Sequence, residues 1–582
     1  MKKDGLLYSY IMEHKWAYFL GVMGLLIVDY VQLYIPRLTG EIADGVKDGT
    51  MNMLGVTRHV GWIMLVTVFI FLGRIIWRYY IFGTARKVET SVRRGLFAKW
   101  ETLDISYFNQ QKTGDLMAYA TNDLNAVRMM VGPGIVIVFD AIVMTLFVVI
   151  QMAVYVNLPL TLLAISPMPI IAFGGIFFGN KIGALFGDKQ VAFSNLSDHV
   201  QESFTGIQVI KSFIQEKYQM SDFEKSNQDN YDKNMKLARL GAIIMPLMTL
   251  IVGISLLIGL GYGGYLTMIN KISLGQFVAF NQYILMLVWP MMAISRGITV
   301  FAQGKASSDR LLKVLLEEPG VKDKEDARVK KESQGEITIK NLSFGFPDNG
   351  HEALKDVSIY IKSGQTLAIL GRTGSGKSTL VNLLLRLYNP PKGTIFIDQD
   401  DIMDITLESA RSQIAYVPQD NFLFSDTVAN NIAFGLENKD MALVTQAAKD
   451  ASVHSNIMDF PKQYDTIVGE RGATLSGGQK QRVSIARAFG CNAPILILDD
   501  SLSAVDTNTE EEILNNLARR RAGKTTIIIA HRISTVQHAD HIVVLDQGEI
   551  MERGNHEELL AKGGIYQHMY TQQMLEQEIE KA

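Results

Sequence analysis

The chain falls into two parts that differ in the spacing of their hydrophobic residues. The first part contains apolar stretches long enough to cross roughly 30 Å of hydrocarbon as helices. We predict six membrane spans, at approximately 16 to 38, 59 to 82, 134 to 156, 158 to 180, 242 to 268 and 274 to 300. Because no small-residue cleavage pattern follows the first apolar run and five more spans come after it, we expect no cleaved signal peptide.

The loops between the predicted spans indicate their orientation. Loops 83–131 and 181–241 carry many basic residues, whereas turns 156–159 and 270–273 hold one lysine between them. The positive-inside rule therefore puts the two long loops and both termini in the cytoplasm. These loops are amphipathic and rich in helix formers, so we expect the spanning helices to continue beyond the bilayer. The sequence predicts a multi-pass protein of the cytoplasmic membrane, in contact with the lipid bilayer.

The second part alternates short apolar runs with helical patterns, which is typical of an α/β domain around a parallel sheet. A charged stretch with few apolar residues precedes it, and we interpret this stretch as a linker. We therefore predict an all-α polytopic membrane domain over 1–315, a linker over 316–335 and an α/β domain over 336–582. A small β subdomain is expected at the start of the α/β domain.

Composition excludes several other classes of protein. Hydrophobic residues make up 48% of the chain and charged residues 20%, a combination that requires the apolar excess to be concentrated in one part. The net charge is only -3 and no basic cluster with interleaved aromatic residues occurs, so nothing supports a nucleic-acid partner. Cys491 is the one cysteine of the sequence, which excludes an internal disulfide and a cysteine-based metal site, and we interpret it as a structural or incidental thiol.

A glycine-rich loop carries the strongest chemical signal. It follows the apolar run 365–370 and precedes a helical pattern over 378–387. In such a strand, loop and helix order, backbone N–H groups cradle phosphates, a lysine reaches the β and γ phosphates and a hydroxyl ligates Mg²⁺. A plain turn is a poor alternative, because three glycines cost much conformational entropy. The loop is Gly371-Arg372-Thr373-Gly374-Ser375-Gly376-Lys377-Ser378-Thr379, with Lys377 as the lysine, Ser378 as the hydroxyl ligand and Thr379 as support for the cradle.

Two further elements follow in the α/β part. Leu475-Ser476-Gly477-Gly478-Gln479 is typical of a helix N-terminus, with Ser476 as the cap and glycine N–H groups open to an anion. The apolar run 495–498 predicts a buried parallel strand. Asp499 at the end of that strand suits a contact to Mg²⁺ through water.

The order of these three elements resembles the ATP-binding cassette (ABC) family, from about Glu336 to the C-terminus. The six predicted spans extend the resemblance to ABC exporters, so ATP and Mg²⁺ are the implied cofactors. The resemblance implies that Phe346 packs against adenine, where many members use tyrosine, with Phe344 as the alternative. It also implies that Gln419 contacts Mg²⁺ and the attacking water, and that His531 contacts the γ-phosphate.

The family resemblance further implies ATP sites shared between two subunits. The segment Ser476 to Gln479 would bind the γ-phosphate of ATP held by the opposite subunit, and Asp506 would lie in the D-loop that crosses the dimer interface. Segments 108–116 and 201–213 resemble the coupling segments that dock on nucleotide domains, with an ordinary turn as the alternative. Segment 466–472 resembles the exporter-type contact with these coupling segments, which argues against an importer.

One position departs from the catalytic pattern of the family. Competent ABC sites generally carry glutamate after the strand aspartate, as the general base for water, whereas this chain has Asp500. The loss of one methylene withdraws the carboxylate by roughly 1 to 1.5 Å, and such a misplacement lowers the rate on the order of 100-fold. The alternative is an aspartate that still serves adequately as the base.

This departure favours a heterodimer with a second ABC half-transporter that keeps the glutamate. We predict ATP-driven export of lipophilic or amphipathic compounds, as in the degenerate-site subunit of bacterial multidrug exporters. Alternatives are a homodimeric lipid or peptide exporter and an ATP-gated sensor or channel without net transport. Charged residues inside the predicted spans should face a cavity or one another, as contacts for cationic cargo or as structural Asp to Arg pairs. These residues are Asp29, Arg74, Arg78, Asp140 and Arg296.

Overall fold

A computed structural model describes residues 11–346, 351–436 and 438–581 and separates the chain into two compact units. The helical unit comprises Met1–Glu101 and Lys112–Glu317, and the α/β unit comprises Thr102–Gln111 and Glu318–Ala582. Each unit is discontinuous in sequence. A ten-residue segment between two long helices of the first unit therefore belongs to the second.

The helical unit consists of long helices with π-helical turns in the third span. In chain order its helices are α1 (Lys15–Gln32), α2 (Tyr34–Lys47), α3 (Met53–Thr102), then, after α4 of the other unit, α5 (Thr113–Ala118), α6 (Leu124–Met129), α7 (Ile135–Gln151), α8 (Leu158–Ile165), α9 (Pro169–Thr205), α10 (Ile207–Ser212), α11 (Glu216–Met268) and α12 (Leu274–Leu316). The π turns cover Tyr119–Asp123, Met130–Gly134 and Met152–Val156. The first two turns join α5, α6 and α7 into one helical stretch, and the third continues this stretch to Val156.

Among the described residues, five helical stretches are long and apolar enough to cross a membrane. They are Lys15–Lys47, Met53–Thr102, Thr113–Val156, Glu216–Met268 and Leu274–Leu316. Helix α3 has 50 residues and a length of about 75 Å, so it extends well beyond a bilayer, as the sequence predicts.

None of these five stretches covers the predicted span 158–180. It is divided between α8, which ends at Ile165, and α9, which begins at Pro169. Pro167 lies in the turn between them, and proline can donate no backbone hydrogen bond to a continuing helix. The predicted span is therefore divided by a turn at residues 166–168, and the helical class of the membrane unit is confirmed.

The α/β unit contains a six-stranded sheet with strand order β10-β9-β3-β8-β7-β6, in which only the pair β10 and β9 is antiparallel. A second, antiparallel sheet has the order β2-β1-β4-β5. The strands are β1 (Ile337–Gly345), β2 (Glu352–Ile361), β3 (Thr366–Leu370), β4 (Ile395–Ile397), β5 (Asp400–Asp401), β6 (Ile414–Val417), β7 (Ile495–Asp499), β8 (Thr525–Ile529), β9 (His541–Asp546) and β10 (Glu549–Gly554). The α/β class predicted from the sequence is confirmed.

The central strands of the six-stranded sheet are buried and largely apolar, as expected of parallel strands covered on both faces. Every residue of β7 and of β8 is buried. The helices are α4 (Ile105–Gln110), α13 (Lys377–Leu384), α14 (Leu407–Ser412), α15 (Val428–Ile432), α16 (Met441–Asp450), α17 (His454–Met458), α18 (Gly477–Cys491), α19 (Thr507–Arg520), α20 (Ile533–Val536), α21 (His556–Lys562) and α22 (Ile565–Lys581). Short 3₁₀ turns cover Ala433–Gly435, Gln463–Asp465 and Glu470–Gly472.

The charged stretch interpreted as a linker lies along the α/β unit. Lys330 Nζ is 2.9 Å from carboxylate oxygens of both Asp398 and Asp400. The Leu407 backbone N–H donates to Asp323 at 2.6 Å. Polar contacts at Asp323 and Lys330 therefore join this stretch to the rest of the α/β unit.

Candidate nucleotide-binding site

The phosphate loop begins where β3 ends and finishes where α13 begins. Two of its glycines are required by close packing, because a Cβ atom on Gly371 would lie 2.1 Å from the Leu545 carbonyl oxygen and one on Gly376 would lie 2.7 Å from that of Ala353. Gly374 has open space around it but a φ of +83°, in the left-handed region that favours glycine. The loop is thus held open in one backbone conformation.

Lys377 is the buried cation of this loop. Its side chain is 7% exposed, and Nζ donates hydrogen bonds of 2.8 Å to the backbone oxygens of Gly371 and Arg372. Burial lowers the pKa of Lys377, although the charges of Asp499 and Asp500 oppose this shift. Beside it, the buried hydroxyl of Ser375 has no partner among the described residues. The Ser375 hydroxyl without a partner and the buried Lys377 ammonium group are both suited to bind phosphate oxygens.

Asp499 lies at the carboxyl end of β7 and is 3% exposed. Its carboxylate makes side-chain hydrogen bonds with Ser378 and Tyr416. Burial and the neighbouring Asp500 raise the pKa of Asp499, against the opposing charge of Lys377. The structure therefore brings together two of the three predicted Mg²⁺ contacts, Ser378 and Asp499. A hydroxyl beside a carboxylate is an oxygen set that suits this cation.

Tyr416 is a site residue that sequence reasoning missed. It lies on β6, which pairs with β7. Burial raises the pKa of Tyr416 most, and the charge of Asp499 raises it further. In the sequence Tyr416 stands three residues before Gln419 on an apolar strand, a position that does not by itself indicate contact with Asp499. Gln419 itself is exposed beyond the end of β6, where its backbone oxygen accepts a 3.3 Å hydrogen bond from the Asn421 side chain.

Asp500 is held by its backbone in the left-handed region, with a φ of +46°. Its N–H donates to the Ile529 carbonyl oxygen at 2.8 Å, and its own carbonyl oxygen accepts from the Ser503 hydroxyl at 3.0 Å. Aspartate tolerates this conformation better than most residues. His531 follows β8, the strand next to β7, so both residues lie at the same edge of the sheet.

The aromatic side chains Phe344, Phe346 and Tyr388 form one cluster beside β1. The Phe346 ring lies edge-on to Tyr388 at 5.1 Å and to Phe344 at 5.3 Å. Phe346 is half-buried, so part of its ring is open to a flat ligand. Tyr388 also accepts a 3.1 Å hydrogen bond from the Asn109 side chain on α4. Sequence reasoning missed Tyr388, which has no motif around it except the turn that follows α13.

The segment Ser476 to Gln479 starts helix α18. Ser476 caps the helix by accepting from the Gln479 N–H, and the Gln479 side chain accepts from the Ser476 N–H at 3.0 Å. A Cβ on Gly478 would lie 3.0 Å from the Ala504 carbonyl oxygen. Within the described ranges, no hydrogen bond joins this segment to Lys377, Ser378 or Asp499.

Asp506 lies close in sequence to Ala504, in the segment that follows β7. It is the N-cap of α19 and accepts a 3.0 Å hydrogen bond from the Thr509 N–H. Gln481 on α18 ties this segment to the glycine segment, since its side chain accepts from the Ala504 N–H at 3.0 Å. The predicted D-loop and the predicted anion-binding helix therefore form one connected surface.

Comparisons with known proteins agree for both units. The family model of the ABC transporter transmembrane region matches residues 18–291, and the ABC transporter model matches residues 354–503. The chain is 40% identical to the probable multidrug resistance ABC transporter ATP-binding/permease protein YheI of Bacillus subtilis, over 96% of this chain and 95% of that protein. It is 38% identical to the multidrug resistance-like ATP-binding protein MdlA of Escherichia coli, over 99% of this chain and 97% of that protein.

The fold agrees with a solved exporter. The structure of a bacterial Atm1-family ABC exporter with ATP bound matches with a TM-score of 0.79 and 27% identity, over 95% of this chain and 98% of that chain. The ABC ATPase domain implies ATP binding, and the helical unit implies a multi-pass membrane protein with a cytoplasmic ATPase domain. The chain belongs to the ABC transporters, as an exporter that joins a transmembrane domain to a transport-coupled ATPase domain in one polypeptide.

Proposed function

We propose that the chain is one half of a heterodimeric multidrug exporter of the cytoplasmic membrane, and that its own phosphate loop forms the slow ATP site. The observation that carries this proposal is Asp500 at the position of the general base. The neighbouring residues supply what nucleotide binding needs, whereas the shorter carboxylate impairs hydrolysis. The partner subunit would carry glutamate at the matching position.

Binding at this site rests on residues described above. Lys377 would exchange its two backbone hydrogen bonds for phosphate oxygens, and the open loop around Gly374 leaves room for them. Ser378 and Asp499 would hold Mg²⁺, which neutralises phosphate charge when bound. Phe346 would pack its exposed ring face on adenine, and Gln419 and His531 would reach the terminal phosphate from the edge of the sheet.

The slow step follows from how Asp500 is anchored. Its N–H donates a hydrogen bond to Ile529 and its carbonyl oxygen accepts one from Ser503. Because the backbone is fixed in this way, the short side chain would leave the carboxylate too far from the attacking water. A base must first be within hydrogen-bond reach of the proton it takes. A shortfall of roughly 1 to 1.5 Å lowers the rate on the order of 100-fold.

The glycine segment would serve the other ATP site of the pair. Gly477 and Gly478 are at the first turn of the 15-residue helix α18, where unpaired N–H groups and the helix dipole favour an anion. Among the described residues, no hydrogen bond joins the segment to Lys377 or Ser378 of this chain's own phosphate loop. Its intact sequence supports a role in completing the fast site on the partner subunit, with Asp506 in the adjoining surface.

The cargo proposal draws on the relatives named above, which are described as multidrug resistance proteins. Closure of two nucleotide domains around ATP would turn the membrane cavity outward and expel a lipophilic compound, and hydrolysis would reset the transporter. A homodimer with two slow sites is the rival arrangement.

The effect of Asp500→Glu on ATP hydrolysis separates the two arrangements. In the heterodimer, purified after coexpression with a second ABC chain that has the glutamate, one site is already fast, so the rate should rise by at most about twofold. In a homodimer both sites would recover, and the rate should rise on the order of 100-fold. Robust hydrolysis by the chain alone, unaffected by Asp500→Glu, would contradict the slow-site proposal. Drug efflux measured in parallel excludes a sensor or channel without transport.

A further inference from the structure

The helical unit contains a cavity of about 620 Å³ lined by residues of α1, α3, α7 and α12. Four charged side chains line it, namely Asp29, Arg74, Arg78 and Asp140. Charges at this depth are tolerated where they face a cavity or a partner. Arg296, the remaining charged residue of the predicted spans, lies in another cavity of about 490 Å³.

Asp29 and Asp140 form an acidic pair in the larger cavity. Their side chains are within hydrogen-bonding reach of each other, and Trp289 makes a side-chain hydrogen bond with Asp140. Asp29 is only 4% exposed, and its buried Oδ2 atom meets no hydrogen-bond donor among the described residues. A buried acceptor without a donor is costly. A nearby positive charge or a bound proton would therefore stabilise this acidic pair.

The two arginines of the cavity make their contacts with residues other than the acidic pair. Arg74 donates to the side-chain oxygen of Gln32 at 3.1 Å, and the Arg78 guanidinium lies 5.4 Å from the Trp77 ring centroid. Arg74 acts on the two carboxyls through its charge. No ion pair within 4 Å links either arginine to the acidic pair in the part of the chain that the structure describes.

The remaining lining suits an apolar body that carries a charge. Phe82 offers an aromatic ring, and the faces of such rings attract cations, whereas the Trp77 ring already lies beside the Arg78 guanidinium. Met144 and Met286 add flexible, polarisable side chains that adapt to varied shapes. A volume of about 620 Å³ lies within the usual range of drug-sized pockets.

We propose that Asp29 and Asp140 recognise the positive charge of a lipophilic monovalent cation whose apolar body occupies this cavity. The inference rests on the proposed export function and names its class of cargo. The carboxyl pair supplies the counter-charge, and the aromatic and methionine side chains supply the apolar contact.

The experiment measures binding to the full-length chain in lipid nanodiscs. The probes are radiolabelled tetraphenylphosphonium, a permanent cation with four phenyl rings, and triphenylphosphine oxide, a neutral phosphorus compound with three. Asp29→Asn should weaken cation binding by about tenfold or more, because a charged partner is lost in a largely buried site. Binding of the neutral probe should change less than about twofold. Asp48→Asn, the same change on an exposed carboxylate after α2, should leave both probes unaffected.

Several results would overturn the proposal. In the Asp29→Asn variant, these are equally weakened binding of both probes or unchanged binding of the cation. In the parent chain, it is tighter binding of tetraphenylborate than of tetraphenylphosphonium. If Asp29→Asn does not give a monodisperse protein, Asp140→Asn and the charge-conserving Asp29→Glu replace it. Asp140→Asn should then weaken cation binding by about tenfold, whereas Asp29→Glu should retain most of it.

Transport separates this proposal from the proposed function. Asp29-dependent cation binding without ATP-driven uptake into inside-out vesicles would support the cation site and contradict export. Conversely, ATP-driven uptake of the neutral compound with cation binding that is insensitive to both aspartates would support export and overturn the cation site.

Discussion

The side-chain amide of Asn109 donates a 3.1 Å hydrogen bond to the hydroxyl of Tyr388, whose ring packs edge-on against Phe346. Asn109 belongs to α4, which follows directly on the 50-residue helix α3. A short contact path therefore leads from the predicted adenine-binding ring to a segment that is covalently continuous with a membrane-spanning helix.

We expect Tyr388→Phe to weaken the coupling between nucleotide and cargo while ATP binding is retained. The substitution removes the hydroxyl but keeps the ring against Phe346, and a hydrogen bond of this kind contributes about 1 kcal/mol. The measurement is cargo-stimulated ATPase activity, which should fall several-fold. Asn109→Ala should have the same effect, and the double variant should be no worse than either single one. Additive losses would contradict a shared contact.

Asp499→Asn should stabilise the nucleotide-free protein and abolish hydrolysis at this site. Because burial and Asp500 raise the pKa of Asp499, its ionised form is disfavoured in the folded state. Stability from this group is therefore fully present below the ordinary carboxyl pKa of about 4 and is lost as pH rises through the raised value. At neutral pH the melting temperature of Asp499→Asn should exceed that of the parent by a few degrees. The difference should vanish in acid, and a constant difference across pH would argue against this cause.

Gly371→Ala should destabilise the chain far more than Gly523→Ala. A Cβ on Gly371 would overlap the Leu545 carbonyl oxygen, which we expect to cost about 3 kcal/mol of unfolding free energy. Gly523 has a φ of +76° but open space, so alanine there should cost only about 1 kcal/mol. Thermal unfolding in detergent compares the two. Equal losses would show that backbone conformation, and not close packing, makes Gly371 necessary.

Lys330→Met should lower the melting temperature by a few degrees at neutral pH. Burial alone would lower the pKa of Lys330, but Asp398 and Asp400 raise it above its ordinary value, and Lys330 in turn holds the pKa of Asp398 low against burial. The stability from Asp398 is present above its ordinary pKa and is lost as pH falls through the lowered value. The effect should therefore shrink in acid. Lys331→Met, on the exposed neighbouring residue, is the matched control and should change little.

Local patterns in the sequence were enough to predict both fold classes and the strand, loop and helix order around Lys377. They also placed Ser378 and Asp499 in one predicted site, and the structure shows these two in contact. Tyr416 and Tyr388 could not be found this way. Each acquires its role from a partner distant in sequence, Asp499 or Asn109, and no local spacing encodes such a pair.

The predicted span 158–180 shows a different limit. Hydropathy sums the apolar content of a window but ignores the backbone hydrogen bonds that a proline removes. Pro167 interrupts the helix at a point where the hydropathy pattern continues. The sequence likewise does not reveal the partners of the charged stretch predicted as a linker, because the pairing of Lys330 with Asp398 and Asp400 joins residues distant in sequence.

The membership of Thr102–Gln111 in the α/β unit has a practical consequence for dissecting this transporter. A fragment that starts at Glu336 lacks this segment and also the stretch that carries Lys330. It would expose Tyr388 and leave Asp398 without its cation. Such a fragment should unfold more easily than the same residues within the whole chain, and adding a peptide of residues 102–111 should restore part of the loss.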